Sequence, residues 1–210
     1  KLFEYLHQSS PKPFFPNRIA VLNKDDKSFE YLTQITQSKQ VHYSKNQKSE
    51  FYADDITPSS KGISFTVNGE NFKVRVHSNI PGDFNVSNVL AAMAATIVGI
   101  GIDPQVAAEG IENVKSVPGR MEQIQMGQKF QAIVDFAHTP NALENAINTV
   151  KKTTTGRVIA IFGSAGLRDR QKRRMMAESS ARLADITIIT AEDPRTESLN
   201  DILEEMKNSA

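Results

Sequence analysis

Residues 158–190 read VIAIFGSAGLRDRQKRRMMAESSARLADITIIT. Two short apolar runs, VIAIF (158–162) and ITIIT (186–190), enclose a stretch with helical period, RDRQKRRMMAESSARLA (168–184). The runs are rich in β-branched residues and do not alternate apolar with polar. Such runs mark strands buried on both faces, and strand–helix–strand order makes a βαβ unit with parallel strands. The fold class read from this segment is α/β, with a mostly parallel sheet.

The same rhythm extends outward. Upstream, MEQIQMGQKFQAIVDF (121–136) reads as a hairpin whose second strand becomes fully apolar, and PNALENAINTVKK (140–152) as a helix. Downstream, SLNDILEEMKNSA (198–210) is a further helix. The series begins after KSVPGR (115–120), whose Pro-Gly breaks the pattern. That break divides the chain into residues 1–116 and 117–210.

The first part is organised differently. RIAVLN (18–23), QVHYSK (40–45) and FYADDI (51–56) are short strand candidates. KDDKSFEYLTQI reads as a turn and then a helix capped by the acids or Ser28. GISFTVNGENFKVRVHS (62–78) alternates on both sides of Asn68-Gly69, which predicts a β-hairpin with a type I′ turn. DFNVSNVLAAMAATIVGIG (83–101) is Ala-rich and apolar almost all round, so a buried helix ended by Gly99 and Gly101 is expected. DPQVAAEGIENV (103–114) predicts a second helix, with Asp103 as N-cap and Pro104 at the first helical position.

Composition narrows the function classes. The 210 residues suit two domains of roughly 100 each. Net charge is +1, so no global field draws the chain to nucleic acid or anionic lipid. The chain has no cysteine, which excludes disulfides, zinc–thiolate sites and a thiol nucleophile. No apolar run approaches the ~20 residues that span a bilayer, and KLFEYLHQSS lacks the apolar core of a signal peptide. A cytoplasmic, monomeric protein without membrane or nucleic-acid partners is expected. Both ends fall within helical pattern, so the chain is expected to be a fragment of a longer protein.

Chemistry should gather where the strands of an open α/β sheet end and the following helices begin. The run AIV (132–134) ends in Asp135 and His138; VIAIF ends in GSAGLRDRQKR (163–173); ITIIT ends in AEDPRTES (191–198). If the strands are parallel neighbours, all three segments share one edge. Each also has a plain reading. An Asp at a strand end caps or turns the chain. GSAGLRD lacks the Walker A lysine and spacing. RDRQKRR reads as a solvated helix face, and EDPRTE as a turn with a helix cap. Their coincidence at three successive strand ends favours function.

Taken in order, these segments resemble the Mur ligases, most closely the UDP-N-acetylmuramoyl-tripeptide synthetases. The matching pieces are GDFNVSNVLAA (82–92), VPGRME (117–122), VDFAHTPNAL (134–143), FGSAGLRDRQKR (162–173) and EDPRTE (192–197). KLFEYL and AVLNKDD match less specifically. The resemblance implies the latter part of a central ATPase domain, without its P-loop, over 1–116. A Rossmann-like C-terminal domain, truncated at its end, would occupy 117–210. It implies an ATP-dependent carbon–nitrogen ligase of peptidoglycan synthesis, and so of cell-wall biogenesis, cell shape and division. Such an enzyme joins an amino acid to UDP-N-acetylmuramoyl-L-alanyl-D-glutamate through an acyl phosphate.

By the same resemblance, Asn85 and Asn88 meet the adenine edge. Arg120 approaches the nucleotide phosphates, Asp135 the ribose hydroxyls, and His138 lines the nucleotide site. Glu192, Asp193 and Arg195 face the incoming amino acid. No catalytic residue and no metal ligand is assigned within these residues; the ligands of Mg²⁺ would lie mostly outside them, and the fragment alone is expected to be inactive. Diaminopimelate-adding members carry DNPR and lysine-adding ones a DDPN-like loop, whereas this chain has Glu192-Asp193-Pro194-Arg195. Arg195 suits a bidentate contact with the extra carboxylate of diaminopimelate, while Asp193 favours an amine. Phe136 stands where tyrosine is usual, and Asn141 where aspartate is usual. Two alternatives remain: another ATP-dependent amide ligase of the superfamily, such as a folylpolyglutamate or cyanophycin synthetase, or a non-catalytic nucleotide-binding module.

Overall fold

The structure, a computed structural model, describes residues 1–10, 18–59 and 61–210. Backbone contacts divide the chain into two compact units, Lys1–Val117 and Pro118–Ala210.

A short helix, α1 (Leu2–Leu6), opens the first unit, which is built on a five-stranded sheet in order β1 to β5. β1 (Ile19–Asn23), β2 (Lys39–Ser44) and β3 (Phe51–Ser59) run parallel. β4 (Gly62–Asn68) and β5 (Lys73–Ser78) follow antiparallel. Between β1 and β2 lies α2 (Phe29–Ile35), preceded by Ser28, whose own N–H and hydroxyl both bond the Asp26 carboxylate. Helix α3 (Phe84–Ala94) continues through a π-helical segment, Ala95–Ile100, to Gly101 in the left-handed region at φ 83°. Its Val86, Val89, Leu90 and Met93 pack with Phe51, Ile63, Phe65 and Val76 of the sheet. Fully burying each such side chain contributes about 1.5–3 kcal/mol. Gly99 lies inside the π-segment, where an added Cβ would stand 3.1 Å from the Ile19 side chain. Helix α4 (Pro104–Asn113) starts as expected, with the Asp103 carboxylate accepting from the Gln105 and Val106 amides. At its other end Asn79 donates to the carbonyls of Glu112 and Val114, two acceptors the helix leaves open.

The β4–β5 hairpin differs from its predicted turn. The Gly69 amide donates to the Phe72 carbonyl at 3.0 Å, so the turn lies at Glu70-Asn71, two residues past the predicted position. Neither Asn68 nor Gly69 has the positive φ that a type I′ turn there would require. The cause is Phe72. Its ring packs edge-on against Phe51, with centroids 5.5 Å apart, and lies over Gly69. Seating that ring against Phe51 keeps Asn68 in the ladder, where it bonds Asp54, and moves the turn on to Glu70 and Asn71.

The second unit begins with an antiparallel hairpin, β6 (Glu122–Ile124) and β7 (Ala132–Val134). Then follow α5 (Pro140–Thr153), β8 (Ile159–Phe162), α6 (Arg170–Leu183), β9 (Ile186–Ile189) and α7 (Leu199–Lys207). β8 and β9 pair in parallel, making the βαβ unit expected from residues 158–190. The helix starts are set locally: Thr139, Asp169 and Ser198 each accept backbone N–H bonds at the first turn that follows. Leu143 and Ile147 of α5 pack with Val158, Ala160 and Met176, and Ala177 packs with Ile202 and Met206 of α7.

Two features depart from the sequence reading. Among the described residues, β7 pairs with β6 and not with β8, so the expected row of three parallel strands is two separate ladders. The helices also cover only one face of β8 and β9: Ala160, Phe162 and Ile189 face them, while Ile159, Ile161, Ile186 and Ile188 are exposed. The strands carry apolar side chains on both faces, and α5, α6 and α7 all supply the same one.

Candidate functional site

Two groups of candidate residues lie in the second unit. The first surrounds the end of β7. Asp135 accepts from the Met121 amide at 2.8 Å, and the Phe136 amide donates to the Gly119 carbonyl at 2.7 Å. These two bonds hold the Pro118-Gly119-Arg120 segment against the strand end. Gly119 takes φ 67°, a conformation costly for a residue with a Cβ, and its amide donates to Glu122 at 2.8 Å. Met121 also has positive φ, 48°, which the Asp135 bond holds in place.

Arg120 is thereby placed over the Phe136 ring, its guanidinium carbon 5.1 Å from the centroid. Phe136 is 61% exposed, and the His138 ring lies beside it at 4.9 Å. The His138 Nδ1 is 3.0 Å from the Phe136 carbonyl oxygen. A carbonyl oxygen only accepts, so Nδ1 is the donor in this contact and Nε2 is the ring nitrogen left for a ligand. The structure therefore brings the Arg120 guanidinium and the His138 imidazole to one exposed aromatic ring, while the neighbouring Asp135 carboxylate bonds the Met121 amide.

Asn85 and Asn88 belong to the first unit, at the start of α3. Asn85 is buried: its Nδ2 donates to the Pro81 carbonyl at 2.8 Å, and its Oδ1 accepts from Asn88 Nδ2 at 3.0 Å. Its amide is thus engaged within the protein, and it braces Asn88, which is exposed.

The second group is a pair of joined loops, Gly163–Asp169 after β8 and Ala191–Ser198 after β9. The Gly166 amide donates to the Asp193 carbonyl at 2.8 Å, and the Leu167 amide to the Glu197 carboxylate at 2.9 Å. The approach is too close for side chains. A Cβ on Gly166 would stand 2.0 Å from the Pro194 carbonyl oxygen, and one on Gly163 2.5 Å from that of Thr190. This accounts for the two glycines of GSAG by packing between two loops. Within the second loop, Arg195 has φ 52°, its amide donates to Asp193 at 3.2 Å, and its Nε lies 3.5 Å from the Asp193 carboxylate. Glu192, Asp193 and Arg195 are all exposed.

Reading RDRQKRR as a solvated face overlooked Arg173. It is 1% exposed and forms ion pairs with Glu197 at 3.0 Å and Glu205 at 2.8 Å. The Glu197 carboxyl is held at about 2, first by the hydrogen bonds from the Arg173 guanidinium and then by the Leu167 amide. The bonds to Glu197 and, after it, Glu205 raise the Arg173 pKa against the opposing effect of burial. A signal existed in the spacing: Arg173 shares the stripe of Met176, Ala177 and Ser180, the buried face of α6.

Residues 2–96 match the model of the Mur ligase middle domain, and residues 119–210 that of the Mur ligase glutamate ligase domain. The chain is 37% identical over 190 residues to the UDP-N-acetylmuramoyl-L-alanyl-D-glutamate--2,6-diaminopimelate ligase of Geobacillus thermodenitrificans, covering 90% of this chain and 39% of that protein. It is 35% identical over 208 residues to the protein of the same name from Clostridium tetani, covering 98% and 43%. A solved structure of a ligase of that name, 32% identical, superposes with a TM-score of 0.59 over 90% of this chain and 40% of the other. Folylpolyglutamate synthase of Mycobacterium tuberculosis superposes with a TM-score of 0.77 at 17% identity, over 95% and 45%, a likeness of fold. The chain spans about two fifths of the length of the curated relatives it matches.

Proposed function

Because the chain belongs to the Mur ligases, we propose that it forms the latter part of the central ATPase domain and the C-terminal domain of an ATP-dependent acid–amino-acid ligase. The reaction proposed is addition of meso-diaminopimelate to UDP-N-acetylmuramoyl-L-alanyl-D-glutamate in peptidoglycan synthesis, in the cytoplasm. Central-domain residues would occupy 1–116 and C-terminal-domain residues 117–210. ATP would phosphorylate the substrate carboxylate, and the amine of the amino acid would then attack, the tetrahedral intermediate collapsing to amide and phosphate.

The residues around Phe136 suit a nucleotide. Arg120 offers a cation to phosphate, Asp135 an acceptor for ribose hydroxyls, and His138 the Nε2 edge of an imidazole beside an exposed ring. Asn88, braced by Asn85, presents an amide able to donate and accept at once, as an adenine edge requires. Mg²⁺ would supply charge neutralisation on the phosphates. Among the described residues, no group of three or more His, Asp or Glu side chains could hold a metal ion. No helix among the described residues is long and apolar enough to cross a membrane.

The observation that carries the amino-acid assignment is Arg195, an exposed guanidinium fixed in a left-handed turn on a loop bonded to its neighbour. Diaminopimelate has one carboxylate more than lysine, and a guanidinium can meet it with two parallel hydrogen bonds. The test is phosphate release by the longer protein containing these residues. Release should require ATP, the UDP-muramoyl dipeptide and diaminopimelate together. Activity on a folate and glutamate, and none on the muramoyl dipeptide, would replace this reading with the folylpolyglutamate one.

A further inference from the structure

Arg173 cannot touch a substrate, because it is 1% exposed, yet it is bonded to both loops of the candidate amino-acid site. Its Nη1 donates to Glu197 at 3.0 Å and Glu205 at 2.8 Å. Its Nη2 donates to the other Glu197 oxygen at 3.0 Å and to the Ala165 carbonyl at 3.3 Å. Ala165 lies in the loop after β8, Glu197 in the loop after β9, and Glu205 in α7. One guanidinium therefore joins three segments from its seat on α6. Glu205 is shared with Arg170 at 3.1 Å, so two cations and two carboxylates alternate along the cluster.

Glu197 transmits this placement. Its Oε2 accepts from Arg173 and from the Leu167 amide, and its own amide closes the turn onto the Pro194 carbonyl at 3.0 Å. Arg195 lies inside that turn, in a conformation that disfavours residues with a Cβ. A strained exposed residue persists where its surroundings over-determine it. Here the determinant on one side is Glu197, two residues along and gripped at both oxygens; on the other it is the Gly166–Asp193 bond.

We propose that Arg173 is a positioning residue for amino-acid recognition: through the bidentate grip on Glu197 it fixes the loop that aims Arg195. The proposal rests on the reading of Arg195 given above. A lysine at 173 keeps the charge but presents a single nitrogen in place of the planar fork, so it cannot reproduce the two-oxygen grip.

The test uses the longer, complete enzyme and compares Arg173→Lys and Glu197→Gln with the unmutated protein. Both variants should raise the KM for diaminopimelate about tenfold or more, and leave the KM values for ATP and the UDP-muramoyl dipeptide within about twofold. Amide exchange at Leu167 should accelerate in both, reporting release of the loop independently of turnover. Glu197→Gln keeps the side-chain shape and serves if Arg173→Lys folds poorly. Unchanged diaminopimelate KM in a folded variant, or equal increases for all three substrates, would overturn the proposal while leaving the ligase assignment intact. No ligation by the unmutated enzyme would instead overturn the functional reading, and this proposal with it.

Discussion

The Asp135 carboxylate accepts the Met121 amide at 2.8 Å and so closes the segment carrying Arg120 onto the end of β7. One side chain thus has a structural duty as well as the nucleotide role proposed for it, and the two can be separated. Asp135→Ala leaves the Met121 N–H without its partner, a loss of about 1–3 kcal/mol. Asp135→Asn keeps an oxygen acceptor. Thermal melts of the 210-residue chain should show the alanine variant several degrees below the asparagine variant. Equal melting of the two would show that the bond to Met121 contributes nothing.

In the longer enzyme, Asp135→Ala and Arg120→Ala should each lower kcat/KM for ATP roughly ten- to a hundredfold, the kinetic equivalent of about 1.5–3 kcal/mol for a hydrogen bond to a charged group. Steady-state kinetics with ATP varied would reveal this. Two variants with unmutated kinetics would place the nucleotide elsewhere.

Two glycines should respond oppositely to alanine. Gly110 lies within α4 with nothing within 4 Å of an added Cβ, so Gly110→Ala should stabilise by about 0.5–1 kcal/mol through helix propensity and a more restricted unfolded chain. In Gly166→Ala the new Cβ meets the Pro194 carbonyl, and overpacking should cost about 1–3 kcal/mol. Denaturant titration of both variants is the check, and a tolerated Gly166→Ala would contradict the close approach of the two loops.

Acid should loosen the same loops. The Glu197 carboxyl titrates at about 2 in the folded protein against an ordinary 4.5. A depressed carboxyl contributes stability that is fully present above the unfolded value and lost as pH falls from about 4.5 towards about 2. Denaturation midpoints followed across that window should fall more steeply for the unmutated chain than for Glu197→Gln. Parallel curves would mean that Glu197 carries no pH-dependent stability.

Arg195 should show a trade between stability and recognition. Arg195→Gly relieves a left-handed backbone and should stabilise the chain by about 1 kcal/mol. In the longer enzyme the same change should cost about 2–4 kcal/mol in kcat/KM with diaminopimelate, by analogy with truncating one member of a buried charge pair, and much less with lysine. Equal losses with both amino acids would make Arg195 a brace for Asp193.

Much of this architecture was legible because its causes are local. Asp103-Pro104 and Asp169 announce their helices through side-chain caps, and the apolar runs at 158–162 and 186–189 form parallel strands as read. Where tertiary packing decides, the pattern misled. Asn68-Gly69 promised a two-residue turn, but Phe72 packs onto Phe51, from another strand, and the turn moves on to Glu70-Asn71. Arg173 hid in a run of seven charged or amide side chains because its burial depends on Glu197 and Glu205, which arrive 24 and 32 residues later. The burial of Asn85 and its bonds to Pro81 and Asn88 were not legible either, because they form only once the start of α3 is packed.

The most direct measurement is the mass of the nucleotide product that the complete enzyme makes from ATP, UDP-N-acetylmuramoyl-L-alanyl-D-glutamate and an equimolar mixture of meso-diaminopimelate and lysine. The diaminopimelate-adding ligase proposed above should yield a UDP-muramoyl tripeptide carrying diaminopimelate, formed only when ATP is present. A product carrying lysine, or no amide product at all, would contradict it.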